Sequence, residues 1–499
     1  MRENIGRLGI TLVSAFVLVA LSLTYWQILV ADELNGLASN PRQQEQELRA
    51  LRGKILDREG QVLAMSEMVD GNQIRRYPIA STAPITGYHS DRFGDTALEA
   101  RFDDELRGAS SFDGWQALRQ RLLHTPVIGA DVVTTLDARI QVAAANALGD
   151  RIGAVIVLDP HRGDILAMVS NPTFDAAEIE SQFESLRADP DAPLLNRVTQ
   201  SAYAPGSTFK LITATAAIDL RRVDLEQPFL CSTEIDLGGQ PVDCHNNRHL
   251  PRLTYKEAFA WSSNRTFALT GLLLGFPGIL NPWLDDQPPG EYPWRNASLD
   301  RLAQVLEEYA QRFGFEAQIP FDLAVEPSRL KGAETEWSEG LLAATAFGQG
   351  ELSATPLQMA LVAAAIANDG QVVRPYLVST IRSSAGDERP VHEPGGWFSV
   401  VASAEHAQTL RDFMVEGVER GYASAAAVEG VAVGGKTGTA EVGPERAPHA
   451  WFIGFAPADA PRVAIAVIVE NGGSGSEIAT PIAGEILREA LAVYSPKDR

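Results

Sequence analysis

Cysteine is scarce in this chain, which limits the number of disulfide bonds and of metal sites with thiolate ligands. Among 499 residues only Cys231 and Cys244 occur, so a framework of several disulfides is excluded. The two can form one disulfide in an oxidising compartment, the reading we favour, or remain free thiols. A zinc site that adds His245 and His249 is a third reading, although the cysteines are not close-set as zinc ligand pairs usually are. We therefore expect neither a metal nor another cofactor at the functional site.

Basic residues are also in short supply, with 42 Lys and Arg against 64 Asp and Glu. The formal net charge of −22 argues against a nucleic-acid partner, because nucleic acid is itself strongly anionic. Such acidity suits a domain in an aqueous compartment and says little about the fold. A length of 499 residues exceeds what one domain usually needs, so we expect more than one domain.

Long uncharged runs are rare, and the longest lies between Arg7 and Asp32. As a helix, its roughly 24 residues can span a hydrocarbon core of ~30 Å. Tyr25 and Trp26 lie near its far end, where aromatic residues suit a membrane interface, and basic residues precede it. The alternative is a cleaved signal peptide, but the run is long for one and lacks a small-x-small cleavage site. We expect an uncleaved anchor over residues 1–31, with the N-terminus cytoplasmic and the rest outside.

The chemistry centres on a Ser-x-x-Lys motif formed by Ser207 and Lys210. Pro205 and Gly206 break the preceding structure, and the uncharged run at 211–218 predicts a buried helix that begins at the serine. Residues three apart share one helix face, so the two side chains can touch. A buried lysine with a lowered pKa can take the proton of a serine hydroxyl, which makes the serine a nucleophile.

Two further motifs follow in a defined order. Ser262 and Asn264 form a Ser-x-Asn motif, and residues 436–439 read Lys-Thr-Gly-Thr. Alone, Ser-x-x-Lys occurs by chance in many chains, and Ser-Ser-Asn reads as an ordinary turn. Together in this order the three are the signature of penicillin-binding proteins and active-site serine β-lactamases. The chain resembles a class B penicillin-binding protein, a peptidoglycan D,D-transpeptidase, and more narrowly the short actinobacterial-type form.

This resemblance implies a catalytic set. Ser207 attacks the carbonyl of the penultimate D-alanine of a stem peptide, and neutral Lys210, whose pKa burial and Lys436 lower, is its base. Ser262 relays a proton to the leaving D-alanine. Asn264 holds Lys210 and hydrogen-bonds the substrate amide.

The third motif is expected to bind substrate. Its strand would lie beside the stem peptide as an added strand. Lys436, Thr437 and Thr439 would bind the terminal carboxylate, and Gly438 would keep the strand open, since a side chain there could block the peptide. Backbone N–H groups of Ser207 and Thr439 would stabilise the oxyanion. β-Lactams, which mimic the D-Ala-D-Ala end, would leave Ser207 acylated.

The expected fold is α/β (α+β), a penicillin-binding transpeptidase domain at residues 151–499 with a central antiparallel sheet flanked by helices. We expect its strands near 153–159, 164–170, 434–441, 449–455 and 463–469, and a closing helix at 479–493. Ser298 should cap an amphipathic helix. Residues 276–297, rich in Pro, Gly and Trp, read as an irregular surface insertion of unassigned role.

Residues 32–150 resemble a small pedestal domain in which two strands flank a turn at residues 57–60. It is either a spacer or a docking site for a membrane partner. The segment is too short for a glycosyltransferase domain and lacks the Glu-Asp motif of bifunctional relatives. By resemblance, a separate membrane glycosyltransferase of the SEDS type would polymerise the glycan.

Three rival functions share these motifs: a membrane-tethered β-lactamase, a D,D-carboxypeptidase, and an idle scaffold for a glycan polymerase. A β-lactamase needs a base for deacylation, and no convincing equivalent of the class A glutamate stands between Asn264 and Lys436. A carboxypeptidase uses water as acceptor and is excluded less firmly. The intact motif set argues against the scaffold.

Overall fold

The computed structural model describes residues 2–26, 30, 51–70, 72–108, 128–244, 251–286, 292–393, 395–401 and 403–494. Asp32, His245 and His249 lie outside these ranges, as do residues 287–291.

Strands and helices are numbered here in chain order. The strands are β1 Ile55–Leu56, β2 Val62–Val69, β3 Asn72–Arg76, β4 Asp131–Thr134, β5 Gly153–Leu158, β6 Ile165–Asn171, β7 Phe229–Leu230, β8 Ile235–Leu237, β9 Gln240–Val242, β10 Arg252–Leu253, β11 Gln371–Val373, β12 Val378–Arg382, β13 Glu388–Pro390, β14 Gly396–Ser399, β15 Gly434–Ala440, β16 His449–Ala456 and β17 Val463–Val469. The α-helices are α1 Arg2–Thr24, α2 Ala83–Thr86, α3 Ala97–Arg101, α4 Asp103–Leu106, α5 Ala138–Leu148, α6 Ile179–Ala188, α7 Arg197–Gln200, α8 Lys210–Asp219, α9 Tyr255–Ala260, α10 Asn264–Leu273, α11 Asn281–Leu284, α12 Leu299–Arg312, α13 Glu339–Ala346, α14 Pro356–Ala367, α15 Ala404–Glu419 and α16 Ala479–Val493.

A five-stranded antiparallel sheet, in the order β15-β16-β17-β5-β6, forms the centre of the larger part of the chain. Successive side chains of a strand point to opposite faces of the sheet, and the side chains of the two faces belong to two separate hydrophobic cores. Helix α14 covers one face, and α5 and α16 cover the other. The predicted antiparallel sheet flanked by helices is confirmed, with strands from both ends of this region.

A second, six-stranded sheet has the order β13-β12-β4-β1-β2-β3. Strands β1 and β2 flank the turn at 57–60 as predicted, with Ile55 opposite Ala64. The sequence did not predict that β12, from far along the chain, pairs with β4 and places Ile381 opposite Val132. The N-terminal sheet and the chain that follows the catalytic helices are therefore joined by backbone hydrogen bonds.

A cluster of paired charges is buried against this second sheet. Arg52 Nε donates to Glu99 Oε2 at 2.6 Å, and Arg75 Nε donates to Glu99 Oε1 at 2.7 Å. Arg52 also pairs with Asp103 at 2.6 Å and with Asp95 at 3.1 Å. Buried charges persist only when they are paired and hydrogen-bonded, a condition this cluster meets.

Helix α8 lies at the centre of the helical region, and its residues from Lys210 to Ile218 are all buried. The amphipathic helix α12 forms beside it as predicted, with Leu302, Leu306 and Tyr309 buried. Ser298 occupies the residue before α12, but its hydroxyl makes no capping hydrogen bond, so the predicted cap is wrong.

The region at 276–297 is not a loose surface insertion, so that expectation is wrong for its described residues. Trp294 is buried and donates through Nε1 to Glu339 at 2.9 Å. Arg265, on α10, donates to the carbonyl oxygens of Leu284 and Asp285 at 2.7 and 2.9 Å. The segment thereby braces the helix that begins at Asn264.

Helix α1 is long and apolar enough over Gly6–Thr24 to cross a membrane, and none of that stretch is buried against the protein. Its side chains remain apolar and exposed, as in Phe16 at 81% exposure. Such a helix near the N-terminus fits a membrane anchor.

Candidate active site

Ser207 lies in a 3₁₀ turn, Gly206–Phe209, that leads directly into α8. Gly206 has φ +55°, and a Cβ there would lie 2.7 Å from Thr439 O, so the turn packs tightly against β15. Three residues on, Lys210 Nζ lies 3.0 Å from Ser207 Oγ. The contact predicted from the spacing of the motif is present.

The Ser-x-Asn motif occupies the junction between α9 and α10. Ser262 has φ +58°, a left-handed conformation that non-glycine residues rarely adopt and that occurs often at functional sites. This turn brings Ser262 O and Oγ to 2.6 and 3.0 Å from Lys210 Nζ. Asn264 Oδ1 accepts from the same Nζ at 2.6 Å. The two motifs thus meet on one amine.

The third motif supplies a second amine. Lys436, on β15, reaches Ser262 Oγ with its Nζ at 2.9 Å and also donates to Thr437 O at 2.9 Å. Ser262 Oγ is therefore a bridge between Lys210 and Lys436. The structure brings together all the catalytic side chains that the sequence analysis selected.

Gly438 has a different role from the expected one. A Cβ at this position would lie 2.8 Å from Pro205 O and 3.0 Å from Thr208 Cγ2, within the protein itself. The absence of a side chain at Gly438 therefore lets the turn that carries Ser207 pack closely against β15. The expectation that a side chain there would obstruct the substrate is wrong.

Both lysines are fully buried, and no carboxylate pairs with either among the described residues. Burial, and to a lesser extent the neighbouring Lys436, holds the pKa of Lys210 well below its usual 10.5. Burial lowers the pKa of Lys436 to about 7. Because burial and the neighbouring Lys436 both oppose a proton on Lys210, we assign Lys210 as the neutral amine of the pair.

The hydrogen bonds of Lys210 show what its lone pair faces. Its two shortest contacts are to carbonyl oxygens, Ser262 O and Asn264 Oδ1, which only accept hydrogen bonds. These oxygens take both hydrogens of a neutral amine. The single lone pair is then left for one of the two hydroxyls that lie 3.0 Å from Nζ, and when it is directed at Ser207 Oγ it can accept the proton of the nucleophile.

Strand β15 is an edge strand, so beyond Lys436 its far side is open in that no described strand pairs with it, whereas α15 covers Gly435 on that side. Thr439 faces that open side, because its N and O would lie 3.1 and 2.7 Å from a Cβ at Gly206. Antiparallel strands direct the backbone groups of residues i and i+2 to the same side, so Thr437 shares it. Both threonines are thus on the edge that borders Ser207.

The disulfide Cys231–Cys244 is formed, with Cα atoms 5.4 Å apart. Both cysteines are therefore unavailable as zinc thiolates, and the zinc reading is wrong. Their sulfurs lie 3.8 and 3.6 Å from Ser263 Oγ, which caps α10 through Thr266 N at 3.2 Å. The disulfide packs against the turn that orients Ser262 and Asn264.

Sequence reasoning missed a second group beside the nucleophile. Tyr203 and Arg197 donate to Glu470 Oε1 at 2.7 and 2.8 Å, and the Tyr203 ring contacts His449 edge-on. Trp451 Nε1 donates to Ala204 O at 3.0 Å. These contacts fix the chain just before Ser207. The partners in these contacts are distant in the sequence and meet only in the folded protein, so no local sequence spacing predicts their contacts.

Comparison with known families agrees with this geometry. Residues 153–488 match the penicillin-binding protein transpeptidase domain, and residues 52–132 match the penicillin-binding protein A dimerisation domain. The chain belongs to the penicillin-binding protein transpeptidase family. All three motifs of the site lie within the matched transpeptidase region.

Two of three curated relatives match nearly the full chain. Peptidoglycan D,D-transpeptidase PbpA of Mycobacterium tuberculosis is 33% identical, with 98% of this chain and 99% of the relative covered. The PbpA of Mycolicibacterium smegmatis is likewise 33% identical over 98% and 99%. MrdA of Acinetobacter baumannii is 28% identical over 78% of this chain and 59% of its own.

Solved structures show the same likeness. Penicillin-binding protein A from M. tuberculosis, as its ceftriaxone acyl-enzyme complex, superposes with a TM-score of 0.77 at 32% identity, covering 89% of this chain and 99% of that one. A D,D-transpeptidase domain from Eggerthella lenta gives 0.74 at 33% identity with the same coverage.

Proposed function

We propose that this penicillin-binding protein is a peptidoglycan D,D-transpeptidase that cross-links stem peptides through an acyl-enzyme at Ser207. The observation that carries the proposal is the buried amine of Lys210, which lies 3.0 Å from Ser207 Oγ and has no carboxylate partner among the described residues. The relatives named D,D-transpeptidase and the acyl-enzyme complex of the M. tuberculosis protein support it.

Acylation follows from the geometry. Ser207 Oγ forms a bond to the carbonyl carbon of the penultimate D-alanine while its proton passes to Lys210 Nζ. The oxyanion lies at the backbone N–H groups of Ser207 and Thr439. Collapse of this intermediate breaks the C–N bond to the terminal D-alanine. Ser262 Oγ, bridging Lys210 and Lys436, relays the proton that the departing amine takes up.

Deacylation completes the reaction. An amine of a neighbouring stem attacks the ester carbonyl, forms the new amide, and returns a proton through Lys210 to Ser207 Oγ. Asn264, besides holding Lys210, hydrogen-bonds the substrate amide. Lys436, with Thr437 and Thr439, binds the terminal carboxylate, for which a partly protonated amine is well suited. β-Lactams carry the matching carboxylate and acylate the same serine.

We propose three parts for the chain: an anchor at 1–31, a pedestal at 32–150 and the transpeptidase domain at 151–499. Helix α5 of the pedestal packs against the transpeptidase sheet, and together with the pairing of β4 and β12 it joins the two domains. The N-terminus is cytoplasmic, and both domains lie on the outer side of the cell membrane. The polymerase that supplies glycan strands is a separate SEDS-type membrane glycosyltransferase.

Covalent labelling with a fluorescent penicillin tests the proposal. Full-length protein in membranes should give a persistent fluorescent band that Ser207→Ala abolishes and the control Ser185→Ala, on the exposed face of α6, retains. A wild-type band that fades within seconds would establish a β-lactamase instead. No wild-type band in folded protein would favour the idle scaffold. Incubation with a pentapeptide donor and an amine acceptor then separates cross-linking from simple release of D-alanine by a carboxypeptidase.

A further inference from the structure

Gln349 reaches the substrate edge of β15 from outside the three motifs. Its Nε2 donates to Thr439 O at 3.1 Å. Its backbone is fixed, because Gln349 N donates to Ala344 O at 2.9 Å at the end of α13. The preceding Gly348 has φ +96°, and a Cβ there would lie 1.7 Å from Gly206 O. The loop that carries Gln349 is thus packed against the turn that carries Ser207.

The open edge of β15 offers few acceptors for a substrate. Thr437 and Thr439 point their carbonyl oxygens to that side, as argued above. Lys436 Nζ already donates to Thr437 O at 2.9 Å, and Gln349 Nε2 donates to Thr439 O. In the free protein, therefore, side-chain nitrogens of the protein hold both carbonyls.

An added strand needs one of these acceptors. A peptide laid beside an edge strand donates its amide N–H to a carbonyl of that edge. With the substrate carbonyl in the oxyanion site at Thr439 N, the amide on the acyl side of the scissile bond lies nearest Thr439 O. The carboxamide of Gln349 occupies that position in the free protein and donates as a substrate amide would.

Resting on the proposed transpeptidase function, we propose that Gln349 is a positioning residue that holds Thr439 O until the amide of the donor peptide displaces it. The side chain stands in for the substrate amide and keeps the edge of β15 in order while the site is empty. Substrates and inhibitors that present an amide N–H must exchange one hydrogen bond for another. Those that lack this N–H leave Gln349 in place.

The expected effect follows from the size of one neutral hydrogen bond. Removing a donor that competes for Thr439 O should speed acylation by an amide-bearing probe about two- to tenfold. A probe without the amide gains nothing, because it never displaces Gln349. The ratio of the two rate constants isolates this effect from any general change in the site.

The test compares benzylpenicillin, which carries an acylamino group, with imipenem, which carries a hydroxyethyl group in its place. Second-order acylation rate constants are measured for the full-length wild type, Gln349→Met and Gln349→Ala. Methionine keeps the length of the side chain and removes the donor, and alanine removes both. Gln371→Ala is the matched control, because Gln371 is the exposed first residue of β11 and its side chain donates one hydrogen bond, to Ser399 Oγ.

We expect both Gln349 variants to raise the benzylpenicillin-to-imipenem ratio about two- to tenfold, while Gln371→Ala leaves it unchanged. An unchanged or lowered ratio in a variant that melts like the wild type would overturn the proposal. Failure of the proposed function looks different: an idle scaffold would be acylated by neither probe in any variant, and a β-lactamase would release the acyl group within seconds in every variant. If alanine unfolds the loop, the methionine variant decides the question.

Discussion

Two groups of buried cations in the molecule have opposite surroundings. In the N-terminal region, Arg52 and Arg75 converge on the fully buried Glu99, and Asp95 and Asp103 complete the cluster around Arg52. At the active site, Lys210 and Lys436 are equally buried but meet only hydroxyl and carbonyl oxygens.

The difference lies in what happens to the charge. Burial opposes the charge of Arg52, but Glu99, Asp103 and Asp95 outweigh it, and the pKa of Arg52 rises. Without such partners, burial lowers the pKa of Lys210 and Lys436. A paired arginine keeps its proton and holds the fold together. An unpaired lysine gives up its proton and becomes a base.

The largest expected effect comes from Lys210→Met. Removal of a general base typically lowers a rate about 10²- to 10⁴-fold, and we expect that loss in the acylation rate constant for benzylpenicillin. Methionine keeps the length of the side chain but leaves Ser262 O and Asn264 Oδ1 without their donor, so the melting temperature should fall modestly while the protein stays folded. Stopped-flow kinetics measure the acylation rate constant, and thermal unfolding measures the melting temperature. Acylation within threefold of the wild type would show that another group is the base.

Glu99→Gln should lower the stability of the fold and leave the acylation rate constant unchanged. Removing one partner of a buried ion pair costs about 3–5 kcal/mol, because Arg52 and Arg75 lose their shared carboxylate. The acylation rate constant of the folded protein should stay unchanged. Chemical denaturation measures the loss.

A matched control for Glu99→Gln is Glu67→Gln, which removes a half-exposed pair with Arg76 at 3.5 Å. It should change the free energy of unfolding by less than about 1 kcal/mol. Equal effects of the two substitutions would refute the distinction between the paired cluster and an ordinary surface pair.

A further expected effect is a pH dependence of acylation from Lys436. Its pKa in the free protein is about 7, and the charged form holds the carboxylate of the ligand. The charged fraction falls as pH rises through that value, so acylation should drop about tenfold per pH unit on the alkaline side. The second-order rate constant, which reports the free enzyme, is measured from pH 6 to 9. A plateau to pH 9 would mean that Lys436 stays charged.

Local patterns predicted the parts of this fold that depend on local spacing. The contact between Ser207 and Lys210 follows from their separation of three, and alternating or apolar runs predicted the central strands. Motif order linked Ser262, Asn264 and Lys436 although they are distant in sequence. Their meeting on shared hydrogen bonds is a property of the packed site.

Features that depend on tertiary contact escaped prediction. The pairing of β12 with β4 joins segments about 250 residues apart, and the sequence of neither strand indicates which strand it will pair with. Gly438 was read as a gap for substrate because the turn at Pro205 that packs on it was not visible in sequence. Gln349 belongs to none of the three motifs, and its proposed role depends on Thr439 O, the backbone oxygen that it meets only in the folded protein.

The central claim is that Lys210 is a neutral amine in the resting protein. The chain has only six lysines, so ¹³Cε-lysine NMR of the full-length protein in detergent gives a countable set of signals, with Lys210 assigned by its loss in Lys210→Met. We predict a titration midpoint for Lys210 well below the ordinary 10.5. A midpoint at or above 10.5 would show that Lys210 is charged at neutral pH and would contradict the assignment of Lys210 as the base.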